Sequence, residues 1–573
     1  MTSSRTLSKE DSMLAKSRPR FFVVIFTFVS ALALLLSACG PSGTPVQSPT
    51  NNGQPVKGGI WQDDLVNEPD NFIPNASVQT FSTEVMQSLY LPLFTGSPDG
   101  TIIAGAAADV PTLTNGGIST DAKTWTIHMK PNLVWSDGTP YNADDVDYTW
   151  KLWQNPKFAA AGTAIVKHIA SADVSADKLT ITFHLKDAFV PFLPLWTDGG
   201  QAPLPAHHYS TMAPETIKKS PDHLLPTVVS GPFTMSESKP GDHYTVVRNP
   251  KYYRASEGLP YLDSVIFRVV TSQNTILKDL QAGTIQSAWF LDSSKIQSYK
   301  QLSNYQFISK TGAGFEAIHF DENNTALKDV NVRKAIAMAV DQNTLITVAR
   351  QGAAAPLCTD HSSVYKPGYQ ADAPCPKFDI AGANALLDQA GWTLGSDGVR
   401  AKGGLRLEFQ YSSTANNVWR QQDEEINQAN FKKIGVKINI TNYPASTFFA
   451  SFLQSGQPGK YDMAEWSSSY SYDANDAAGF ECDQIGISNF NWYCNKTMDQ
   501  LLAQEQQTPD PAARQLIFNQ IHQLLLTDYP VATEFATGDI SIHKAGTHNY
   551  NPGPFAASEM VNIWQWWCDG GKC

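Results

Sequence analysis

Residues 121–153, DAKTWTIHMKPNLVWSDGTPYNADDVDYTWKLW, carry three local signals in a fixed order and leave the backbone little choice there. Trp125, Ile127 and Met129 alternate with polar residues, the period of a half-buried strand. Ser136-Asp137-Gly138-Thr139-Pro140 is turn chemistry, because glycine accepts positive φ at low cost and proline presets the next φ. Asn142 is then placed to cap a helix whose first turn holds Asp144 and Asp145, with Val146, Trp150 and Trp153 at helical spacing on one face. Physically, this stretch is a strand, a turn and a capped helix.

A chain of 573 residues exceeds one hydrophobic core, so two or three domains are expected. Fourteen Trp and 20 Tyr are many. They either fill core and interdomain gaps or line a ligand cleft in part. The N-terminus reads as a targeting signal: Arg5, Lys9, Lys16, Arg18 and Arg20 form a basic region, and residues 21–36 are apolar but short for a bilayer span. Leu36-Ser37-Ala38-Cys39-Gly40 resembles a bacterial lipobox, which implies cleavage of 1–38 and lipidation of Cys39. An ordinary signal peptide or an uncleaved anchor helix is the alternative. Residues 1–38 carry five basic and two acidic groups, so their removal would take the net charge from −12 to −15. An acidic surface argues against nucleic acid as a partner. Residues 40–57 are Pro, Gly, Ser and Asn with little to bury, a tether of roughly 20–25 Å reach that, with Cys39, makes 39–57 the anchor segment.

An exported chain lives where disulfides persist. Apart from Cys39, the cysteines fall in local pairs: Cys358 with Cys375, Cys482 with Cys494, and Cys568 with Cys573. Short loops favour these pairings, and no CxxC or CxxH spacing supports a metal site.

Further landmarks follow along the chain. Lys57-Gly58-Gly59-Ile60-Trp61 opens a strand, residues 88–94 (SLYLPLF) lead to Asp99-Gly100, and Leu179, Ile181, Phe183 and Leu185 share a strand face. Ser230-Gly231-Pro232-Phe233 allows a tight redirection. Residues 316–320 alternate as a strand. Asp329 or Asn331 caps a helix bearing Val332, Ile336 and Val340; Asp379 caps another that ends at Gly391. A long helix through Trp419, Ile426 and Phe431 ends at Gly435, before a strand with Val436, Ile438 and Ile440. The segments Lys123-Thr124-Trp125-Thr126, Trp135-Ser136-Asp137-Gly138-Thr139-Pro140 and Ala143-Asp144-Asp145-Val146, together with Arg248-Asn249-Pro250, Val332-Arg333-Lys334-Ala335-Ile336 and Ala390-Gly391-Trp392, resemble the run of signatures of family 5 extracytoplasmic solute-binding proteins. These are the peptide and nickel receptors of ABC importers.

The resemblance covers nearly the whole mature chain. It implies a two-lobed α/β fold of the periplasmic-binding-protein type (type II, three-domain, peptide-receptor class). The expected division is a first lobe from 58–94, 230–314 and 539–573, an inserted domain at 95–229, and a second lobe at 315–538. Gln286 stands where the family usually has an acidic residue. The pocket segment of the family is matched by Tyr461-Asp462-Met463-Ala464-Glu465-Trp466 and the residues up to Asp473. In peptide receptors the acidic residue three positions after this Trp pairs with the α-ammonium of the peptide; here that position is Ser469. Asp473 or Asp476 could supply the charge from a shifted loop. Trp466, Ser469, Tyr470 and Asp473 are the candidate ligand residues. Trp466 and Tyr470 could stack on a sugar ring or a peptide side chain, or serve as core.

No G-x-S-x-G elbow, H-E-x-x-H, P-loop or G-x-G-x-x-G occurs. His207-His208 and the pair His543 and His548 read as surface or loop histidines, and Asp144-Asp145 and Glu424-Glu425 as helix starts and solvated faces. The expectation is therefore a binder without catalytic, metal or cofactor sites. It is a monomeric lipoprotein on the extracytoplasmic side of the cell membrane that delivers a solute to an ABC permease. An oligopeptide or dipeptide is the first ligand class, an oligosaccharide or nickel chelate the alternative. A membrane-anchored sensory receptor and a secreted hydrolase are the competing classes.

Overall fold

A computed structural model describes residues 53–573 apart from 78, 162–165, 454–460 and 556. The signal segment 1–38, the lipidation site Cys39 and the tether up to residue 52 lie outside the described residues.

Eleven strands form one mixed sheet. Its order is Lys437–Ile440, Glu408–Ser412, Met463–Ser468, Tyr305–Phe320, Val531–Lys544, Ser287–Trp289, Ile60–Leu65, Ser264–Val269, His243–Arg248 and Phe233–Lys239, with Ala354–Ala355 added against Val531–Lys544. Each half contains parallel pairing that needs a helical crossover. In one half Ser264–Val269 and Ser287–Trp289 both run parallel to Ile60–Leu65, joined through the helix Gln273–Ala282. In the other, Glu408–Ser412 runs parallel to Lys437–Ile440, joined through the helix Val418–Lys433. Between the halves, Tyr305–Phe320 and Val531–Lys544 are antiparallel and belong to both.

The apolar cores follow the same division. One cluster joins Trp61, Trp125, Phe233, Phe267, Ile542 and Trp566, and includes the small sheet of Thr124–His128, Thr180–Leu185 and Ile169–Val174. Others pack the helices Val330–Met338, Ile380–Gln389, Lys496–Gln507 and Pro511–Asp528 around residues 313–536.

Local signals explain the elements. Asn142 accepts from the Asp144 amide at 2.9 Å, and its own amide donates to Asp145 Oδ2 at 3.0 Å, closing a capping box for Ala143–Gln154. Val146, Trp150 and Trp153 are buried on that helix. Asp329 and Asp379 cap their helices as expected, and Gly391 takes φ +81° after the second.

Two expectations change. The strand expected at 316–320 begins at Tyr305, because 312–314 (Gly-Ala-Gly) continues it as a bulge rather than a break. Pairing passes from Thr311↔Gly538 to Phe315↔Ala536, four residues against two. Asp145 and Glu424 are buried, not solvated. Asp145 accepts from Trp135 Nε1 (3.2 Å) and the Ala206 amide (2.9 Å), and Glu424 accepts from Asn442 Nδ2 (2.9 Å), so each carboxylate is a node joining segments. Gln286 also has a structural role: its Oε1 accepts from the Gln62 amide at 2.7 Å and its Nε2 donates to the Cys573 carbonyl at 3.0 Å. The paired cysteines stand at bridging distance, with Cα separations of 5.0, 4.7 and 5.3 Å for 358/375, 482/494 and 568/573.

Candidate functional site

A cavity of about 550 Å³ opens where the two halves of the sheet meet. That volume falls within the range of small-molecule sites, roughly 300–1,000 Å³. One wall comes from the first half: Thr271 and Gln273 at the start of a helix, residues 289–293 after a strand, and Asp539 and Ile540. The opposite wall holds Arg350, residues 416–419, and Ser467, Ser468 and Ser469 at the end of Met463–Ser468. Ala313, Gly314, Thr537 and Gly538 also line it, so the bulge of the two long strands lies at the cleft. Small residues are required there. A Cβ on Gly538 would lie 2.1 Å from the Ala353 carbonyl oxygen, and one on Gly314 would lie 2.6 Å from Thr537 Oγ1.

The cleft carries opposite charges. Burial pushes the Asp539 carboxyl up to about 7, against the pull of Arg350. The Arg350 guanidinium is stacked 4.2 Å from the Trp419 ring and faces Phe535 at 5.7 Å; its Nε makes no hydrogen bond to a described residue. Burial draws its pKa down, while Asp423 and Glu316 act the other way. Deeper in the second half, Arg420 grips Glu316 through Nε at 2.8 Å and Nη2 at 3.1 Å, and also donates to Ser467 Oγ at 3.1 Å. This anchors the first of the three cleft serines. Trp289, which is buried, and Trp419, which Arg350 and Arg420 flank at 4.2 and 4.7 Å, line opposite walls. Phe290 and Asn416 hold left-handed backbones, φ +58° and +65°, and Phe290 is 55 % exposed.

The four residues singled out in the sequence do not come together in this cavity. Ser469 lines it. Trp466 lies on the strand below and is 8 % exposed; its ring stacks on His319 with centroids 3.4 Å apart, and burial holds that imidazole neutral at about 3. Tyr470 turns away, donating its hydroxyl to Asp360 Oδ2 at 3.0 Å. Asp473 is held by Arg514 in two bonds of 2.6 Å each. Neither Arg350 nor Asp539 stood in a recognisable motif. Asp539 shows only as a polar residue before an alternating strand, and Arg350 follows the helical turn Leu345–Ala349.

The histidines also sort differently. His207 and His208 meet Asp137 (2.8 Å) and Asp222 (2.7 Å). His543, expected at the surface or in a loop, is buried on the long strand Val531–Lys544 because its side of that strand packs into the first core. Among the described residues, no helix is long and apolar enough to cross a membrane.

Comparison with known proteins agrees with this architecture. The family of bacterial extracellular solute-binding proteins, family 5 (middle), matches residues 109–480. The chain therefore belongs to the family 5 bacterial extracellular solute-binding proteins. The oligopeptide-binding protein AppA of Bacillus subtilis is 24 % identical over 566 residues, 96 % of this chain and 99 % of AppA. The solved structure of B. subtilis AppA in complex with a nonapeptide superposes with a TM-score of 0.72 at 22 % identity, over 90 % of this chain and all of that one. CtaP of Listeria monocytogenes, an ABC transporter substrate-binding protein, gives a TM-score of 0.78 at 21 % identity, over 90 % of this chain and 100 % of that chain.

Proposed function

We propose that this chain is the lipid-anchored receptor of an ABC importer, and that it captures a short peptide in the cleft between its lobes without chemistry of its own. The observation that carries the ligand class is the pairing of an acid and a base across one cavity. Asp539 is positioned to meet the α-ammonium in place of the acid that Ser469 replaces, and Arg350 offers a cation to a carboxylate. Ser469 supplies a neutral hydrogen bond, and Phe290 supplies an exposed apolar face for side chains, with Trp419 beside it in the lining. AppA is described as an oligopeptide-binding protein and was solved with a nonapeptide, which supports the same class. The finer parts of the reading are a lipidated Cys39, an extracytoplasmic monomer, three disulfides and a permease partner. They rest on the lipobox, the export signal, the cysteine distances and family membership.

The test is a thermal-shift screen of the intact chain with di- to pentapeptides, their N-acetylated forms, oligosaccharides and nickel chelates, since a ligand bound to the native state raises the midpoint. Free-amine peptides are expected to stabilise, with the shift lost on acetylation and in Asp539→Asn. Because the Asp539 carboxyl titrates at about 7, and only its ionised form pairs with an ammonium, affinity should fall as pH drops through 7. In Asp539→Asn that pH dependence should vanish. Stabilisation by sugars or nickel chelates alone would reject the peptide assignment.

A further inference from the structure

Behind the cleft wall, three side chains with no accessible surface converge: Asp360, His361 and His522. His361 Nδ1 and His522 Nε2 are 2.9 Å apart, and Asp360 Oδ1 is 3.6 Å from each. A triangle with sides of 2.9, 3.6 and 3.6 Å has a circumradius of about 2.0 Å, so one point sits at a Zn–N or Zn–O bond length from all three atoms.

The hydrogen bonding points the same way. A proton shared between the two imidazoles would satisfy the 2.9 Å contact but not Asp360 Oδ1, which is buried and makes no hydrogen bond to a described residue. Its sister oxygen accepts from the Tyr470 hydroxyl at 3.0 Å and the buried Asp476 side chain also contacts the carboxylate, so the group is held with Oδ1 toward the histidines. The outer ring nitrogens, His361 Nε2 and His522 Nδ1, make no hydrogen bond to a described residue.

We propose that Asp360, His361 and His522 form a buried site for a divalent cation of the zinc class. Two imidazoles and a carboxylate, with one small fourth ligand, are a donor set Zn²⁺ accepts, whereas Ca²⁺ and Mg²⁺ want more oxygens. The cation would join the segment that follows Cys358 to the helix Pro511–Asp528. Through Tyr470 it would also brace the residues directly after Ser467, Ser468 and Ser469. It is a staple behind the ligand cleft rather than part of it.

The test uses the intact chain, stripped with a chelator and then titrated with Zn²⁺ alone. A single equivalent should bind, raise the melting midpoint, and be replaceable by Co²⁺ with the visible absorption of a low-coordinate N/O site. His361→Gln and His522→Gln should lose the uptake, while His543→Gln, a buried histidine on the strand Val531–Lys544, should retain it. Tyr470→Phe keeps every ligand but frees the carboxylate, and should weaken binding about 10–100-fold. The proposal fails if the folded, stripped chain takes up neither Zn²⁺ nor Co²⁺, or if uptake survives unchanged in His522→Gln. Should the histidine variants not fold, an unaltered affinity in Tyr470→Phe overturns it.

Discussion

Phe290 keeps φ at +58° at the cleft, a conformation that costs a non-glycine residue about 1–3 kcal/mol and tends to persist where function needs it. Phe290→Gly should leave folding stability within about 1 kcal/mol of the parent, because relief of strain offsets the added chain entropy. It should nonetheless weaken ligand binding measured calorimetrically; unchanged affinity would remove Phe290 from the site. Asp473 makes the opposite case. Its two bonds to Arg514, which Glu505 also accepts from at 2.5 Å, make it part of a buried ion network. Asp473→Ala should therefore cost about 3 kcal/mol in denaturant unfolding and leave affinity in the folded fraction alone. Breaking an exposed pair such as Arg406 and Asp397 should matter far less, because water screens it. Ser469 was legible in the sequence because its segment matches a pocket motif. Arg350 and Asp539 were not, because charge in a cleft is a property of where two distant segments meet.

At the scale of elements, caps and periodicities could be read directly. Asn142, Asp329 and Asp379 announce their helices through side-chain chemistry that acts within four residues. Asn142→Ala should cost about 1 kcal/mol, read as a lower unfolding midpoint. The strand Tyr305–Phe320 could not be read in full, since Gly312 and Gly314 look like breakers until their partner strand is known. What they permit is close approach. Gly538→Ala meets backbone at 2.1 Å, and the Ala353 carbonyl cannot step aside without breaking the pairing of Ala354–Ala355. Overpacking of that kind should cost about 1–3 kcal/mol. Gly312→Ala meets the Asp539 carboxylate first, at 2.9 Å, with the Thr537 carbonyl oxygen farther off at 3.3 Å. It should change ligand affinity more than stability, and equal effects of the two substitutions in paired melting and binding assays would contradict this account.

For the whole molecule, the two long strands are the continuous fabric between the halves. Ligand capture should slow hydrogen exchange at 311–315 and 536–539, and leave the small sheet containing Thr124–His128 unchanged. The two-lobed fold was legible through its resemblance to a family. The strand order was not, because Trp289 pairs with Ser541 across some 250 residues and no local pattern encodes such a contact. The position of Val531–Lys544 has a consequence for how the molecule comes into being. This segment, made after every other strand of the large sheet, inserts between Ser287–Trp289 and Tyr305–Phe320. Until it arrives, both halves present raw edges in the middle of what will be one sheet, the very surfaces that recruit wrong neighbours. A chain cut short before residue 531 should therefore aggregate rather than yield a usable half-receptor. The large sheet therefore stays open until the last of its strands in chain order has been made.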